Sequence, residues 1–449
     1  MIGKERIIKL LKSVVTESKA DTTEILFIGT DSGLTRYANS RIHQNVAESD
    51  SRVVFRVSIG KKVGTVSTNI LEKDALLKSL GSAIEVARHS RPNRYFKGIA
   101  GKSKIKAIKT YFESTAKVTP AARAGIVGKI CTAASRKGLI ASGAFSTSKT
   151  EIAFVNSRGS ALYQPLTSAA VNIVISSDNS SGYAQAVSRR VEKIDFGSLT
   201  KKAVEKCLVS KNPIVMEPGK YDVLLEPMAV ANLLEWLAFI GLGATSYHEK
   251  TSFLSGKLNK KVMAPSVTLY DDGLDGSGVA FPFDFEGVPK NRVYFVKKGL
   301  GGRPVYDLQT AAKNKTKSTG HGMIFGGSSG PTPLNIFMQP GKTPFTKVIG
   351  QIERGILVTR FHYINGLLDT PRALMTGMTR DGTFLIEHGR VVSGLKNLRF
   401  TESVTRAFSN IQAISRETDL CDSWWSDIGC ISVPALHIKD FNFSGKTEF

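Results

Sequence analysis

The chain has 449 residues, 41% hydrophobic and 22% charged, a balance that excludes disorder for most of its length and predicts two or three domains with full cores. Lysine plus arginine exceed aspartate plus glutamate by 61 to 38, a formal charge of +23. The excess is uneven, with 20 basic against 4 acidic residues in the window 51–150, which speaks of partners and solubility rather than fold.

Ile7, Leu11, Val14 and their neighbours recur at helical spacing and predict an amphipathic helix over 4–19. TEILFIGTDS follows as a strand, and RVVFRVSIGKKVGTVST predicts two strands joined through Gly60-Lys61-Lys62. Helical period returns over 71–90 and over 119–138, where Thr119 is placed to cap and Pro120 to open the helix. Two strand pairs are expected at 138–157 and 168–190, then a helix near 196–209. Helices alternating with antiparallel hairpins predict an N-terminal α+β domain, ending around Asn212-Pro213 and set at 1–215. From residue 216 the pattern changes. The strand YDVLLE leads into one helix, PMAVANLLEWLAFIGLG, and then into short strand-like runs parted by glycine, asparagine and proline. These predict a β-rich, sandwich-like or barrel-like domain over 216–449, so the chain is α+β overall. No internal repeat stands out at a fixed period.

The four cysteines form no CxxC pair, which argues against a disulfide framework or a zinc knuckle. The N-terminus mixes charge into its apolar residues, unlike a secretory leader, and no apolar run is long enough to cross a bilayer. A cytoplasmic protein with no membrane partner is expected. No two of the seven histidines lie within a helical turn or two, so no local pair can face one ion. His248-Glu249 lacks a second histidine downstream, and GMIFGGSSG (322–330) is a flexible glycine-rich loop rather than a phosphate cradle. Two stretches stand out. Arg88, Arg91, Arg94, Lys97, Lys102, Lys104, Lys106 and Lys109 fill one acid-free stretch with Tyr95, Phe96, Tyr111 and Phe112 among them. Such a stretch could track a phosphate backbone and stack bases, and a solvated basic loop is the plainer alternative. The second stretch, 360–391, sets Arg360, His362, Tyr363, Arg372, Arg380 and Asp381 at strand ends and turns.

GILVTRFHYINGLLDTPRALMTGMTRDGTFLIEHGRVVSGLKNLRFTESVTRAFSNI resembles the C-terminal signature of the TldD/PmbA family, once described as modulators of DNA gyrase. TRYANSRIHQN, VYDLQTAAKNKTKSTGHG and VPALHIKDFNFSGKT are similar to further family blocks in the same order. The resemblance implies an N-terminal α/β domain, a β-rich C-terminal domain, and membership of a group whose metal-bearing TldD-type subunits pair with TldE/PmbA-type subunits to cut peptides. It places the family's HExxxH helix on LLEWLAFIGLG, where Glu235, Trp236 and Ile240 stand in place of histidine, glutamate and histidine. The third family ligand, a cysteine, falls near Cys421. The resemblance therefore implies a TldE/PmbA-type subunit with no cofactor of its own, with zinc in a TldD-type partner. The chain would pair with that partner or with itself, and extended peptide would be the shared substrate. His321, Arg360, His362, Arg380 and Asp381 are the groove or interface candidates. Two alternatives stand beside this. One is an autonomous hydrolase using His362 or His321 with Glu235 or Asp381; the other is a nucleic-acid-associated protein acting through the basic N-terminal domain.

Overall fold

The computed structural model describes residues 1–325, 330–423 and 428–447. The N-terminal region opens with α1 (Lys4–Thr16), which buries Ile7, Leu11 and Val14 on the expected stripe. Strands β1 (Thr22–Ala38), β2 (Arg41–Ile59) and β3 (Lys62–Thr68) follow, then α2 (Lys73–His89). Gly60 takes φ 57 in the turn between β2 and β3, a left-handed conformation that glycine adopts without strain. After a segment with little regular structure and the short α3 (Glu113–Ala116) come α4 (Pro120–Ser135), β4 (Ile140–Asn156), β5 (Ala161–Ser176), β6 (Ser181–Ser188) and α5 (Phe196–Val209). Thr119 caps α4, its hydroxyl accepting from Ala122 N at 3.1 Å.

The expected strand pair at 138–157 is instead one strand, β4, and β5 begins seven residues earlier than predicted. Gly143 does not turn the chain. It lies inside β4, where a Cβ would stand 2.2 Å from the Asn172 carbonyl and 2.7 Å from the Tyr37 hydroxyl, so glycine is there for close approach. The six strands form one sheet in the order β3-β2-β1-β4-β5-β6. Alternate residues divide between its faces. Ile25 and Phe27 pack under α1 and α2, whereas Leu26, Val54, Ile152 and Phe154 pack against Phe281, Phe283 and Phe285 of the C-terminal region.

That region contains β7 (Gly219–Leu225), α6 (Pro227–Gly241), α7 (Ala244–His248), β8 (Leu269–Asp271), β9 (Val293–Lys297), β10 (Leu300–Gly301), α8 (Leu308–Lys313), β11 (Asn335–Met338), α9 (Phe345–Ile349), β12 (Arg354–Asp369), β13 (Leu374–Glu387), β14 (Arg390–Gly394), β15 (Leu398–Ser403), α10 (Val404–Ser409), β16 (Ile411–Cys421) and β17 (Cys430–Lys446). The barrel-like alternative is the one realised. β7 pairs with β12, β12 with β13, β13 with β15, β15 with β17, and β17 returns to β7, so five strands close on themselves. Closure leaves those strands no free edge along the ring. Apolar α6 packs against β12 and β17 and buries Val230, Leu233, Leu234, Leu237 and Ile240; each such side chain contributes about 1.5–3 kcal/mol relative to exposure.

Candidate functional site: helix α6 and the cleft between the sheets

The resemblance assigns metal chemistry to α6. Glu235 is buried at 8% exposure and accepts from the Ser423 hydroxyl at 2.7 Å. Ile240 lies in the core, and the Trp236 ring packs so close to Gly366 that a Cβ there would stand 2.8 Å from it. Cys421 is buried at the end of β16, and burial, reinforced by Asp419 and Asp422, pushes its thiol well above the ordinary range. In these surroundings the uncoordinated side chain is held as a neutral thiol. Among the described residues no three His, Cys, Asp or Glu side chains form a group that could hold a metal ion. A catalytic zinc wants three such ligands and a base beside its water. These residues do not fit that group.

Immediately N-terminal to α6, a cleft of about 330 Å³ opens between the two sheets. Its walls are the edge strand β6, one face of α5, and the Thr418–Leu420 stretch of β16. On its floor the Lys206 ammonium is in ion-pair contact with the Glu226 carboxylate, and Lys202 adds a second contact at 3.5 Å. Burial pulls Lys206 down to about 8 against the pull of Glu226. Burial works against the charge on Glu226 as well, but Lys206 and Lys202 outweigh it and hold the carboxyl below its usual value. Glu226 sits at the positive N-terminal end of α6, which also favours the anion. Asp419 is solvent-accessible within the concavity, and its desolvated surroundings raise its carboxyl despite Lys202. None of these residues stood out in the sequence. The signal was the i, i+4 pair Lys202 and Lys206 on one face of α5, which reads as an ordinary solvated face until Glu226 is placed opposite.

The structure gathers four of the five groove candidates. Arg360 and Asp381 lie on the neighbouring strands β12 and β13 and form an ion pair, with Nε to Oδ2 at 3.0 Å. The guanidinium also lies 4.5 Å over the Tyr183 ring of β6, so this pair ties the two sheets together beside the cleft. Arg380 Nε is 3.9 Å from the same carboxylate. His362 rests against the Tyr363 ring at 4.2 Å, and burial followed by Arg380 and Arg360 lowers its basicity. His321 is elsewhere. It is 1% exposed, with Nε2 2.9 Å from Asp271 Oδ1 and Nδ1 2.9 Å from the Thr319 hydroxyl. Asp271 Oδ2 accepts from the backbone N–H groups of Leu334 and Asn335. His321 and Asp271 therefore tie β8 to the segment entering β11, and at 1% exposure the imidazole is closed off from solvent. Of the glycine-rich loop 322–330, residues 326–329 lie outside the described residues.

A model of the PmbA/TldA metallopeptidase C-terminal domain matches residues 218–445, just over half of the chain, and one of domain 1 of the same metallopeptidases matches residues 23–88. The chain belongs to the TldD/PmbA family. A metalloprotease TldD homolog from Haemophilus influenzae is 24% identical over 255 residues, 55% of this chain and 52% of that protein. A metalloprotease from Methanothermobacter thermautotrophicus is 22% identical over 232 residues, 51% of this chain and 50% of that protein. The chain thus spans about half the length of the curated relatives it matches. Among solved structures, TldE from Thermococcus kodakarensis superposes with a TM-score of 0.88 at 19% identity, covering 97% of this chain and all of that one. A protein from Thermotoga maritima described as a modulator of a DNA gyrase gives 0.86 at 18% identity, covering 98% of this chain and all of that one. At these identities the likeness concerns the fold. No helix among the described residues is long and apolar enough to cross a membrane.

Proposed function

We propose that this chain is the TldE/PmbA-type subunit of a TldD/TldE-like peptidase, contributing structure and surface to a complex whose metal and base sit on a TldD-type partner. The observation that carries this reading is α6 itself: within a family of metallopeptidases, the helix that the resemblance aligns with the metal motif holds a hydrogen-bonded Glu235, a packed Trp236 and a core Ile240. A second observation supports a partner at this face. Phe239 beside Trp236, and Tyr363, Leu367 and Leu368 on the outer half of β12, are exposed by 44%, 76%, 60% and 50%. Apolar side chains grouped in this way next to a site mark an interaction surface. The edge strands β6 and β16 at the cleft offer main-chain groups to an extended peptide, a sequence-tolerant mode of grip.

The test is purification alone and after co-expression with a TldD-type relative, reading metal content, native mass and peptide hydrolysis. The expected result is negligible metal and hydrolysis for the chain alone, and a pair with one metal and activity on co-expression. Leu367→Asp, on the exposed strand, is expected to weaken the pair without unfolding the chain. Stoichiometric metal with chelator-sensitive hydrolysis in the chain alone would overturn the proposal and favour an autonomous enzyme.

A further inference from the structure

The acid-free basic stretch is not a floppy loop. From Ser90 to Thr110 the chain runs as a strap without helix or strand, pinned to both halves of the molecule. Asn93 Nδ2 donates to Gln309 at 2.9 Å, and Ser103 Oγ donates to the Gly287 carbonyl at 3.3 Å. The Ile99 and Ala100 carbonyls accept from Arg158 and Asn156, and Thr110 Oγ1 donates to the Pro165 carbonyl. Ile99 is buried, and Ile105 packs on the core that joins the two sheets.

This pinning sorts the side chains. Ser103 and Ile105 turn toward the protein, while Lys102, Lys104 and Lys106 between and beside them are exposed. Residues two apart on an extended chain are about 6.5–7 Å apart, close to two phosphate steps of one strand along a duplex axis at about 3.4 Å each. The row continues through Lys109 to Arg189, and the charged groups of Lys109, Arg189 and the Glu192-paired Arg190 surround the Phe112 ring at 5.5, 5.9 and 5.1 Å. Toward the other end lie Arg91, Arg94 and Lys97, all exposed. Among the described residues only Arg88 of the eight basic side chains has a carboxylate partner, Glu85.

We infer that this strap is a docking track for the phosphate backbone of double-stranded nucleic acid, bound without regard to sequence. The duplex is favoured over a single strand because Tyr95, Phe96, Tyr111 and Phe112 are half-buried or ringed by cations and offer no free stacking platform. Nucleic acid is favoured over an acidic protein because the central run of the track, Lys97 to Lys109, carries five lysines, no arginine and no aromatic residue. Protein interfaces are depleted of lysine and centre on aromatic and arginine anchors, whereas lysine rows suit phosphates.

The test is fluorescence anisotropy of a labelled 20-base-pair DNA duplex of arbitrary sequence with the full chain, in salt from 50 to 200 mM. The probe is titrated against the wild type, the variant K102Q/K104Q/K106Q, and the charge-matched control K257Q/K260Q/K261Q, whose lysines are exposed elsewhere. The expected result is wild-type affinity falling steeply with salt. The strap variant should lose about 0.9 of log–log slope for each phosphate contact removed, so up to about 2.7 units, with the control close to wild type. Equal losses in both variants would reduce the effect to net charge and overturn the assignment, as would no binding at 50 mM salt. Displacement of the duplex by polyglutamate at equal charge concentration would assign the strap to acidic protein instead.

Discussion

Arg56 on β2 is a largely buried cation at the contact between the N-terminal sheet and the C-terminal region. Its guanidinium reaches Glu24 on β1, contacts Glu286 of the C-terminal region at 2.8 Å and lies 4.1 Å over the Phe325 ring. Both carboxylates are almost fully buried, and Glu24 Oε1 has no hydrogen-bond partner among the described residues. Arg56→Met keeps much of the side-chain volume and removes the charge, leaving two buried carboxylates uncompensated. Breaking a buried pair in this way costs about 3–5 kcal/mol. The loss has a pH signature. Burial already raises Glu24 to about 7 against Arg56, so its contribution to wild-type stability is complete below the ordinary value near 4.5 and is lost as pH rises through 7. Without Arg56 the Glu24 carboxyl rises further, and the folded chain carries it charged only at greater cost. Equilibrium urea unfolding followed by circular dichroism should therefore show a deficit of about 3–5 kcal/mol at pH 8 that narrows toward pH 5. Adding Glu24→Gln to the variant should recover part of the deficit at pH 8. A loss below about 1 kcal/mol at pH 8, or the same loss at pH 5 and pH 8, would refute the reasoning.

Other positions give smaller, separable effects. Gly64→Ala would place a Cβ 2.1 Å from the Ala83 carbonyl of α2 and should cost about 1–3 kcal/mol or more by thermal melting. Gly81→Ala, on the same helix with open space at its Cβ, should instead stabilise by about 0.5–1 kcal/mol. Thr119→Ala removes the cap of α4 and should cost about 1 kcal/mol. His321→Ala leaves Asp271 Oδ1 and the Thr319 hydroxyl without their imidazole partner and should cost about 1–3 kcal/mol in unfolding experiments. Unchanged stability there would remove the structural role given to His321.

Most of the architecture was legible because it rests on local signals. The stripe of Ile7, Leu11 and Val14, the Thr119-Pro120 helix start and the turn at Gly60 each act within a few residues, and each appears where expected. The closed ring of β7, β12, β13, β15 and β17 was open between sandwich and barrel, since closure depends on pairings more than two hundred residues apart, such as Ile438 with Val223. The candidate site was legible only in part. Arg360, His362, Arg380 and Asp381 meet because they share two adjacent strands, whereas the Lys206–Glu226 floor joins elements that no sequence period links.

The least legible feature is an internal duplication of the N-terminal half. α1-β1-β2-β3-α2 and α4-β4-β5-β6-α5 repeat one order of elements, and the sheet order β3-β2-β1-β4-β5-β6 sets the two copies back to back. No sequence periodicity betrays it, because the copies keep different core residues, such as Phe27 and Phe55 in one and Phe145 and Ile173 in the other. One signature survives where geometry forbids substitution. In each copy the edge strand carries a glycine facing its closing helix. A Cβ on Gly64 would meet the Ala83 carbonyl at 2.1 Å and Ala87 N at 2.5 Å, and one on Gly182 the Ala203 carbonyl at 2.2 Å and Cys207 N at 2.5 Å. Both helices thus approach an edge strand to backbone contact over one turn, which only a residue without a side chain allows. Apolar positions can be refilled by any side chains of suitable volume; a backbone-to-backbone approach cannot, so Gly64 and Gly182, with the small residues Ala83, Ala87, Ala203 and Cys207 facing them, keep the mark of the repeat.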